Sequence, residues 1–178
     1  MRRTLSPAPT GSPPTKRSWR PKGSNASDGV IVHRGCAIPS GYSYDVPGDL
    51  WVRFEGDVAR LGITDVAQTR MGKMVSIRFK RVGKHVIAGK SIATVESAKW
   101  VGPIHSPFDG EVLEVNEEGF ARDILVANKD PYEAGWISVV RPDVLGSAAT
   151  GLLSDEAAVE AYRRRIDELE ISCIRCAD

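Results

Sequence analysis

The chain has 178 residues, of which 42% are apolar and 26% are charged, proportions typical of one globular domain with tails. No stretch approaches the ~18 uninterrupted apolar residues that a membrane-spanning helix requires. Three cysteines are too few for a disulfide scaffold, and their odd number favours free thiols in a reducing compartment. The composition therefore excludes a membrane-spanning protein, a small secreted disulfide-rich protein and a wholly disordered chain.

Positive charge and proline are concentrated in the first residues of the chain. Residues 1–27 contain six basic residues and no acidic residue, whereas residues 28–178 contain 18 basic and 23 acidic residues. Five prolines and few large apolar residues predict a disordered tail over residues 1–29, because such a segment cannot offset the entropy of ordering. A basic N-terminus without acids is also typical of organellar transit peptides, and this alternative stays open.

Residues 30–150 show a pattern of short strands separated by turns. Apolar and polar residues alternate in residues 50–56, 59–63 and 74–79, and glycines recur at intervals of about ten residues. We expect a mostly-β domain that forms a meandering sandwich or barrel. Residues 64–68 predict one short helical turn, and no long helix is expected before residue 150.

The last segment, residues 151–178, predicts a helix followed by a cysteine-containing tail. Ser154 is a favourable N-cap, and the two acidic residues after it suit the positive end of the helix dipole. An apolar stripe with helical spacing follows, formed by Val159, Tyr162, Ile166 and Leu169. We expect a surface helix docked on the β domain, with the three arginines of residues 163–165 on its solvated face.

One lysine stands out by its position between two apolar runs. A strand-like run rises to Lys99, and a second apolar run follows Gly102 and Pro103, which places Lys99 at or near the tip of a hairpin. An exposed lysine on a stiff support is what a covalently attached group carrier requires. Solubility alone is the alternative role of any single surface lysine.

Several motifs follow one another along the chain in a fixed order. They are residues 51–56 (WVRFEG), 62–68 (GITDVAQ), 82–89 (VGKHVIAG), 96–99 (ESAK), 106–117 (SPFDGEVLEVNE) and 128–137 (NKDPYEAGWI). Together, over residues 42–165, they resemble the glycine cleavage system H-protein family, lipoate-bearing carriers of the biotinyl/lipoyl-domain superfamily. The resemblance implies a biotinyl/lipoyl-like β-sandwich, or barrel-sandwich hybrid, with a C-terminal α-helix.

The resemblance also implies a site and a cofactor. Lys99 corresponds to the lysine that carries lipoate through an amide bond. Glu96, three residues earlier, and the turn glycines Gly83 and Gly110 correspond to residues that lipoate-attaching enzymes recognise. In such a carrier the protein supplies position and recognition, while the cofactor supplies the chemistry.

The same resemblance implies a carrier subunit of a multienzyme system rather than an enzyme. Its partners would be glycine decarboxylase, aminomethyltransferase, dihydrolipoamide dehydrogenase and a lipoate-attaching enzyme, and its load would be an aminomethyl group. We expect a monomer without nucleic-acid or membrane partners, located in the cytoplasm, with the mitochondrial matrix as the alternative.

Three departures from the family pattern point to an alternative function. Asp49-Leu50-Trp51 stands where the family usually has His-Glu-Trp, and Trp100 follows the lysine where alanine is usual. Residues 69–90 carry seven basic residues and no acid, which predicts either a solvated face or a partner-docking surface. These departures resemble H-like lipoate-binding proteins of bacterial sulfur oxidation, which carry sulfur intermediates for a heterodisulfide-reductase-like complex.

The cysteines form a second, weaker group of candidates. Cys173 and Cys176 make a Cys-x-x-Cys pair, and His33 lies three residues before Cys36. Thiolates and imidazoles at such spacings suit a metal-binding module, and the terminal pair also suits a redox dithiol. Free thiols without either role are the third interpretation.

Overall fold

The computed structural model describes residues 29–175. The predicted tail of residues 1–29 therefore lies outside the described part of the chain except for Gly29, and Cys176 also lies outside it.

Short strands account for most of the regular structure in residues 29–175. The strands are β1 (Val30–His33), β2 (Cys36–Pro39), β3 (Ser43–Asp45), β4 (Leu50–Glu55), β5 (Val58–Ile63), β6 (Met74–Phe79), β7 (His85–Val86), β8 (Ser91–Ser97), β9 (Val101–His105), β10 (Gly110–Val115), β11 (Trp136–Pro142) and β12 (Leu153–Ser154). The helices are α1 (Asp65–Met71), α2 (Glu117–Arg122), α3 (Val126–Lys129), α4 (Leu145–Ala148) and α5 (Asp155–Glu168).

Two sheets pack around one apolar core. The larger sheet has the order β12-β3-β4-β5-β11-β10-β7, and the smaller has the order β6-β8-β9, while β1 and β2 form a separate hairpin. Buried side chains of both sheets, such as Leu61 and Val140 from the first and Ile92 and Val95 from the second, belong to one cluster. The mostly-β, sandwich-like fold with a C-terminal helix that the sequence predicted is confirmed.

The alternating segments fold as expected, and the predicted helical turn is longer than expected. Strands β4, β5 and β6 coincide with the predicted alternations. The turn predicted at residues 64–68 extends to Met71. Thr64 caps its start by accepting the N–H of Ala67 at 3.3 Å, and Gly72 ends it by donating its N–H to the Gln68 carbonyl. Of the described helices before residue 150, none exceeds seven residues.

Helix α5 covers a second cluster that is rich in aromatic rings. Tyr162 and Ile166 are 1% and 0% exposed, and the Tyr162 ring meets Tyr44 edge-on at 5.4 Å. Leu169, the last residue of the predicted stripe, is exposed because the helix ends at Glu168. Ser154 occupies the N-cap position, but its hydroxyl bonds the Asp155 side chain and caps no N–H.

The cysteines differ from the sequence expectation. Cys36 and Cys173, 137 positions apart, form a disulfide, so the expectation of free thiols is wrong for both residues. The chain leaves α5 and returns along the β1–β2 hairpin, where the Cys173 N–H donates to the Arg34 carbonyl at 2.9 Å. A pairing between residues so far apart depends on this return path, which residue spacing does not reveal.

An ion pair fastens the same C-terminal segment to the start of α1. Arg175 donates two hydrogen bonds to Asp65, at 2.8 and 2.9 Å, and the Asp65 side chain is almost completely buried. Asp65 also accepts the Ala37 N–H at 2.8 Å, which ties strand β2 to the same carboxylate. We call the Cys36–Cys173 disulfide and the Arg175–Asp65 pair the C-terminal clamp.

Candidate functional site

The candidate lysine lies in the turn between β8 and β9, as the sequence predicted. The turn is closed by the Ser97 N–H, which donates to the Trp100 carbonyl at 2.8 Å. The Ser97 hydroxyl accepts the Trp100 N–H at 3.1 Å and lies 2.9 Å from the Met71 carbonyl, to which it can donate. The Ala98 N–H donates to the Lys73 carbonyl, so the turn is held on both sides by the chain that leads into β6.

Lys99 is exposed at this tip, and its ammonium is available. None of the carboxylates in residues 29–175 forms an ion pair with it. The aliphatic part of the side chain lies over Gly72, where an added methyl group would be 3.5 Å from the Lys99 Cγ and Cδ. Gly72 has a φ of 78°, a left-handed conformation that ends α1 and suits glycine. The end of α1 therefore supports the lysine stem.

A cleft of about 370 Å³ opens beside Lys99. Five buried apolar residues contribute to its lining, namely Leu50, Ile63, Ala67, Met71 and Ile104. Trp100 and Pro103 contribute from the hairpin, whereas Asp49, Arg70 and His105 supply the polar groups. An apolar chain attached to Lys99 would find water-excluding surface here.

The polar end of the cleft is built around Asp49. Its carboxylate is 4% exposed and accepts two hydrogen bonds from Arg165, at 2.7 and 2.9 Å, and one from Arg70 at 2.7 Å. The hydrogen bonds to Asp49 raise the pKa of Arg165. Arg165 was expected on the solvated face of α5, and this expectation is wrong because the arginine closes over a buried carboxylate.

The sequence did not indicate this arrangement of charges. In the sequence, Asp49 stands out only as a replacement for a common histidine, and Arg70 is one of the seven basic residues of 69–90. Arg70 differs from the other six basic residues of 69–90, because its side chain lines the cleft beside Lys99. This side chain is 47% exposed. A contact between residues 49 and 165, which are 116 positions apart, has no local sequence signal.

The other predicted recognition residues lie in different places. Glu96 is exposed on β8, three residues before Lys99, and its carboxylate accepts a hydrogen bond from the Ser76 hydroxyl at 3.3 Å. Gly110 begins β10 in the larger sheet, and Gly83, with a φ of 75°, precedes β7 and donates its N–H to Val112. The structure thus brings Glu96 to the lysine hairpin and places both glycines on the other sheet.

The weak metal candidates do not form a ligand set. Cys36 and Cys173 are joined to each other, so neither supplies a thiolate, and the His33 ring nitrogen lies 2.8 Å from Asp167. Among residues 29–175 no cluster of three or more histidine, cysteine or acidic residues could hold a metal ion. Cys176 lies outside these residues, so its role stays untested.

Comparison with known proteins points to one family. The family model for the glycine cleavage H-protein matches residues 42–165. Glycine cleavage system H protein 2 of Aquifex aeolicus is 38% identical over 81% of this chain and 89% of that protein. A probable glycine cleavage system H protein 2 of Sulfolobus acidocaldarius is 37% identical over 82% of this chain and 99% of its own length.

A solved structure supports the same assignment. The crystal structure of a glycine cleavage system H protein from Mycobacterium marinum superposes with a TM-score of 0.59 at 32% identity. The superposition covers 75% of this chain and all of that one. No helix in the described part of the chain is long and apolar enough to cross a membrane.

The fold places the chain among the mostly-β, sandwich-like proteins with a C-terminal helix. Within that class, the chain belongs to the glycine cleavage H-protein family. The sequence-based recognition of this family is confirmed.

Proposed function

We propose that Lys99 carries lipoate in amide linkage and that the protein transfers a group on this arm between enzymes. The observation that carries the proposal is the exposed Lys99, which pairs with none of the described carboxylates, at the tip of a braced hairpin beside an apolar cleft. The residues present fit the group, because the cleft offers apolar walls to an aliphatic chain that starts at Lys99.

Each part of the site has a physical task in this function. Lipoate would supply a disulfide that opens when a nucleophile attacks one sulfur, so that this sulfur carries the group and the other sulfur leaves as a thiolate. The hydrogen bonds of Ser97 hold the turn, so that Lys99 starts from a defined point. Leu50, Met71 and Ile104 exclude water from the wall of the cleft, which favours a docked arm over a solvated one.

The family assignment supports the glycine cleavage system as the setting. The load would be an aminomethyl group, and the partners would be glycine decarboxylase, aminomethyltransferase and dihydrolipoamide dehydrogenase, with a lipoate-attaching enzyme upstream. The bacterial and archaeal relatives support a cytoplasmic location.

A second candidate function is favoured by the charge of the cleft. Among the described residues that line the cleft, Asp49 supplies the one carboxylate, and the guanidinium groups of Arg70 and Arg165 already bind this carboxylate. Arg70 uses one of its five N–H donors on Asp49 and stays half exposed, so it can bind an anion at the end of the arm. An anionic sulfur intermediate, passed to a heterodisulfide-reductase-like complex, suits this cleft better than a cationic aminomethyl group.

Intact-mass measurement tests the attachment site. Protein co-expressed with a lipoate-attaching enzyme in medium containing lipoate should gain one lipoyl group, and Lys99→Arg should gain none. Lys90→Arg, an exposed lysine at the other end of β8, is the matched control and should be modified like wild type. An unmodified wild type, or a modified Lys99→Arg, would refute the proposal.

The nature of the load is tested on the lipoylated protein. Incubation with glycine and glycine decarboxylase should produce an aminomethyl adduct if the glycine system is the setting. If the second candidate is correct, that adduct should form poorly in wild type and better in Arg70→Glu, because the substitution replaces the cation facing the arm with a carboxylate. Equal adduct formation in both proteins would count against a role of the cleft charge.

A further inference from the structure

The outer edge of β6 is an open edge of the smaller sheet. In the order β6-β8-β9, β6 pairs with β8 alone. The Lys80 N–H donates to the Ile92 carbonyl, and by the alternation of antiparallel pairing the backbone groups of Arg78 also face β8. The N–H and C=O groups of Ile77 and Phe79 therefore point away from the sheet, and no described residue bonds them.

A groove of about 780 Å³ runs along this edge. Strand β6 forms one wall, and α2 with its flanking residues forms the other. Half-buried apolar side chains line the groove between the walls, and the Phe79 ring packs edge-on against Phe120 at 5.7 Å. The groove thus combines unpaired backbone groups with apolar side chains, as sites for an added strand do.

The β6 wall of the groove is positively charged. Arg78, Lys80 and Arg81 line the groove, and Glu117 on the opposite wall is its one acidic residue. Neither these three cations nor Lys73, Lys84 and Lys90 form an ion pair with any carboxylate in residues 29–175. An incoming anion therefore need not displace an existing partner.

We propose that the edge of β6 binds an extended acidic segment of a partner protein as an additional strand. The segment would alternate carboxylate side chains, which meet Arg78 and Lys80 on one face, with apolar side chains that enter the groove beside Ile77 and Phe79 on the other. Its backbone would pair with the N–H and C=O groups of Ile77 and Phe79. Because β6 begins one residue after Lys73, whose carbonyl accepts the Ala98 N–H beside Lys99, one end of the segment would point toward the hairpin of Lys99.

Charge argues against two other occupants of the groove. A second copy of this chain would place the same arginines and lysines of its β6 against this edge. The chain's own residues 1–27 carry six basic residues and no acid, so they would be repelled as well. Nucleic acid would satisfy the cations, but phosphates do not pair with the open edge of a strand.

The experiment uses the unlipoylated protein, so its outcome does not depend on modification of Lys99. The probe is a synthetic ten-residue peptide that alternates glutamate with valine or leucine, and its control carries lysine in place of glutamate. Titration calorimetry should detect the acidic peptide and not the basic one, with an affinity that falls as salt rises. Hydrogen exchange should slow at the amides of Ile77 and Phe79 when the acidic peptide binds.

Two double variants separate this groove from general charge. Arg78→Glu/Arg81→Glu should weaken peptide binding about tenfold or more, because it reverses the charges of the wall itself. Lys84→Glu/Lys90→Glu changes the net charge equally outside the groove lining, and it should weaken binding only about twofold. Circular dichroism confirms that both variants are folded.

Four results would overturn the proposal. The first is the absence of peptide binding to wild type, and the second is an equal loss of affinity in both variants. The third is unchanged amide exchange at Ile77 and Phe79 with peptide bound, and the fourth is equal protection of these amides by a single-stranded oligonucleotide. If a variant fails to fold, the exchange measurement on wild type still decides between strand addition and its absence.

Discussion

The hairpin of Lys99 and the C-terminal clamp are held in place by different kinds of bond. Around Lys99 a few hydrogen bonds of Ser97 hold an exposed turn, whereas the clamp uses a disulfide and a buried ion pair. Helix α1 has one end in each region, because Asp65 receives Arg175 at its start and Met71 lines the arm's cleft at its end. The disulfide thus fastens the segment after α5 to the β1–β2 hairpin, whereas hydrogen bonds hold the turn of Lys99.

The disulfide should have the largest effect on the stability of the clamp. Closing a loop of 137 positions restricts the unfolded chain, so Cys36→Ser/Cys173→Ser should lower the free energy of unfolding by about 2–5 kcal/mol. Chemical denaturation measures the loss, and dithiothreitol should destabilise wild type but not the variant. Lipoylation of Lys99 should continue, and its loss in the folded variant would show that the two regions are coupled.

The Asp49 cluster tests whether the cleft depends on α5. Asp49→Asn should lower the free energy of unfolding by about 2 kcal/mol, because Arg165 and Arg70 lose the negative charge that both of them bind. The loss is limited because water solvates the half-exposed Arg70. Asp57→Asn, which removes an exposed carboxylate paired with Arg141, is the control and should change stability by less than about 0.5 kcal/mol. Equal effects from both substitutions would contradict a buried role for Asp49.

Ser97→Ala addresses the hairpin directly. Loss of one hydroxyl that serves both Met71 and the Trp100 N–H should cost about 1 kcal/mol and should speed amide exchange at Trp100. The rate of lipoylation should fall, because the lysine is presented from a looser turn. Ser91→Ala, at the far end of β8, should leave that rate unchanged. A normal lipoylation rate in Ser97→Ala would mean that the enzyme does not need a fixed turn.

A small acid dependence is expected from a site outside both regions. Burial opposes the charge of Glu55, but hydrogen bonds from Arg60 and Arg53 outweigh it and lower the pKa of the carboxyl group. Ionised Glu55 thus stabilises the fold above its unfolded pKa of about 4.3, and this contribution is lost as the pH falls through the lower folded value. Denaturation from pH 6 to pH 3 should show a loss under about 1 kcal/mol that is absent in Glu55→Gln. An equal loss of stability in Glu55→Gln would mean that another carboxyl group causes the acid dependence.

Local patterns predicted the elements, whereas contacts between distant segments escaped prediction. Alternation located β4, β5 and β6 because it depends on neighbouring residues, and motif order identified the family and the hairpin of Lys99. The pairing of Cys36 with Cys173 depends on how the chain returns after α5, and residue spacing carries no record of that path. The contact of Arg165 with Asp49 in the cleft also joins distant segments, so residue spacing does not predict it.

Pro103 makes the two edges of the smaller sheet different. It lies in β9, the strand at the other edge of the smaller sheet. Along β8 the backbone N–H and C=O groups point alternately toward β6 and toward β9, and those of Thr94 point toward β6. The backbone groups of Pro103, which lies opposite Thr94, therefore point away from the sheet. A proline has no N–H, so a strand laid against β9 would meet a gap in the donor row two residues from where the strand begins. Backbone pairing along β9 is thereby interrupted at residue 103, so the two edges of the smaller sheet differ in how well they accept an added strand.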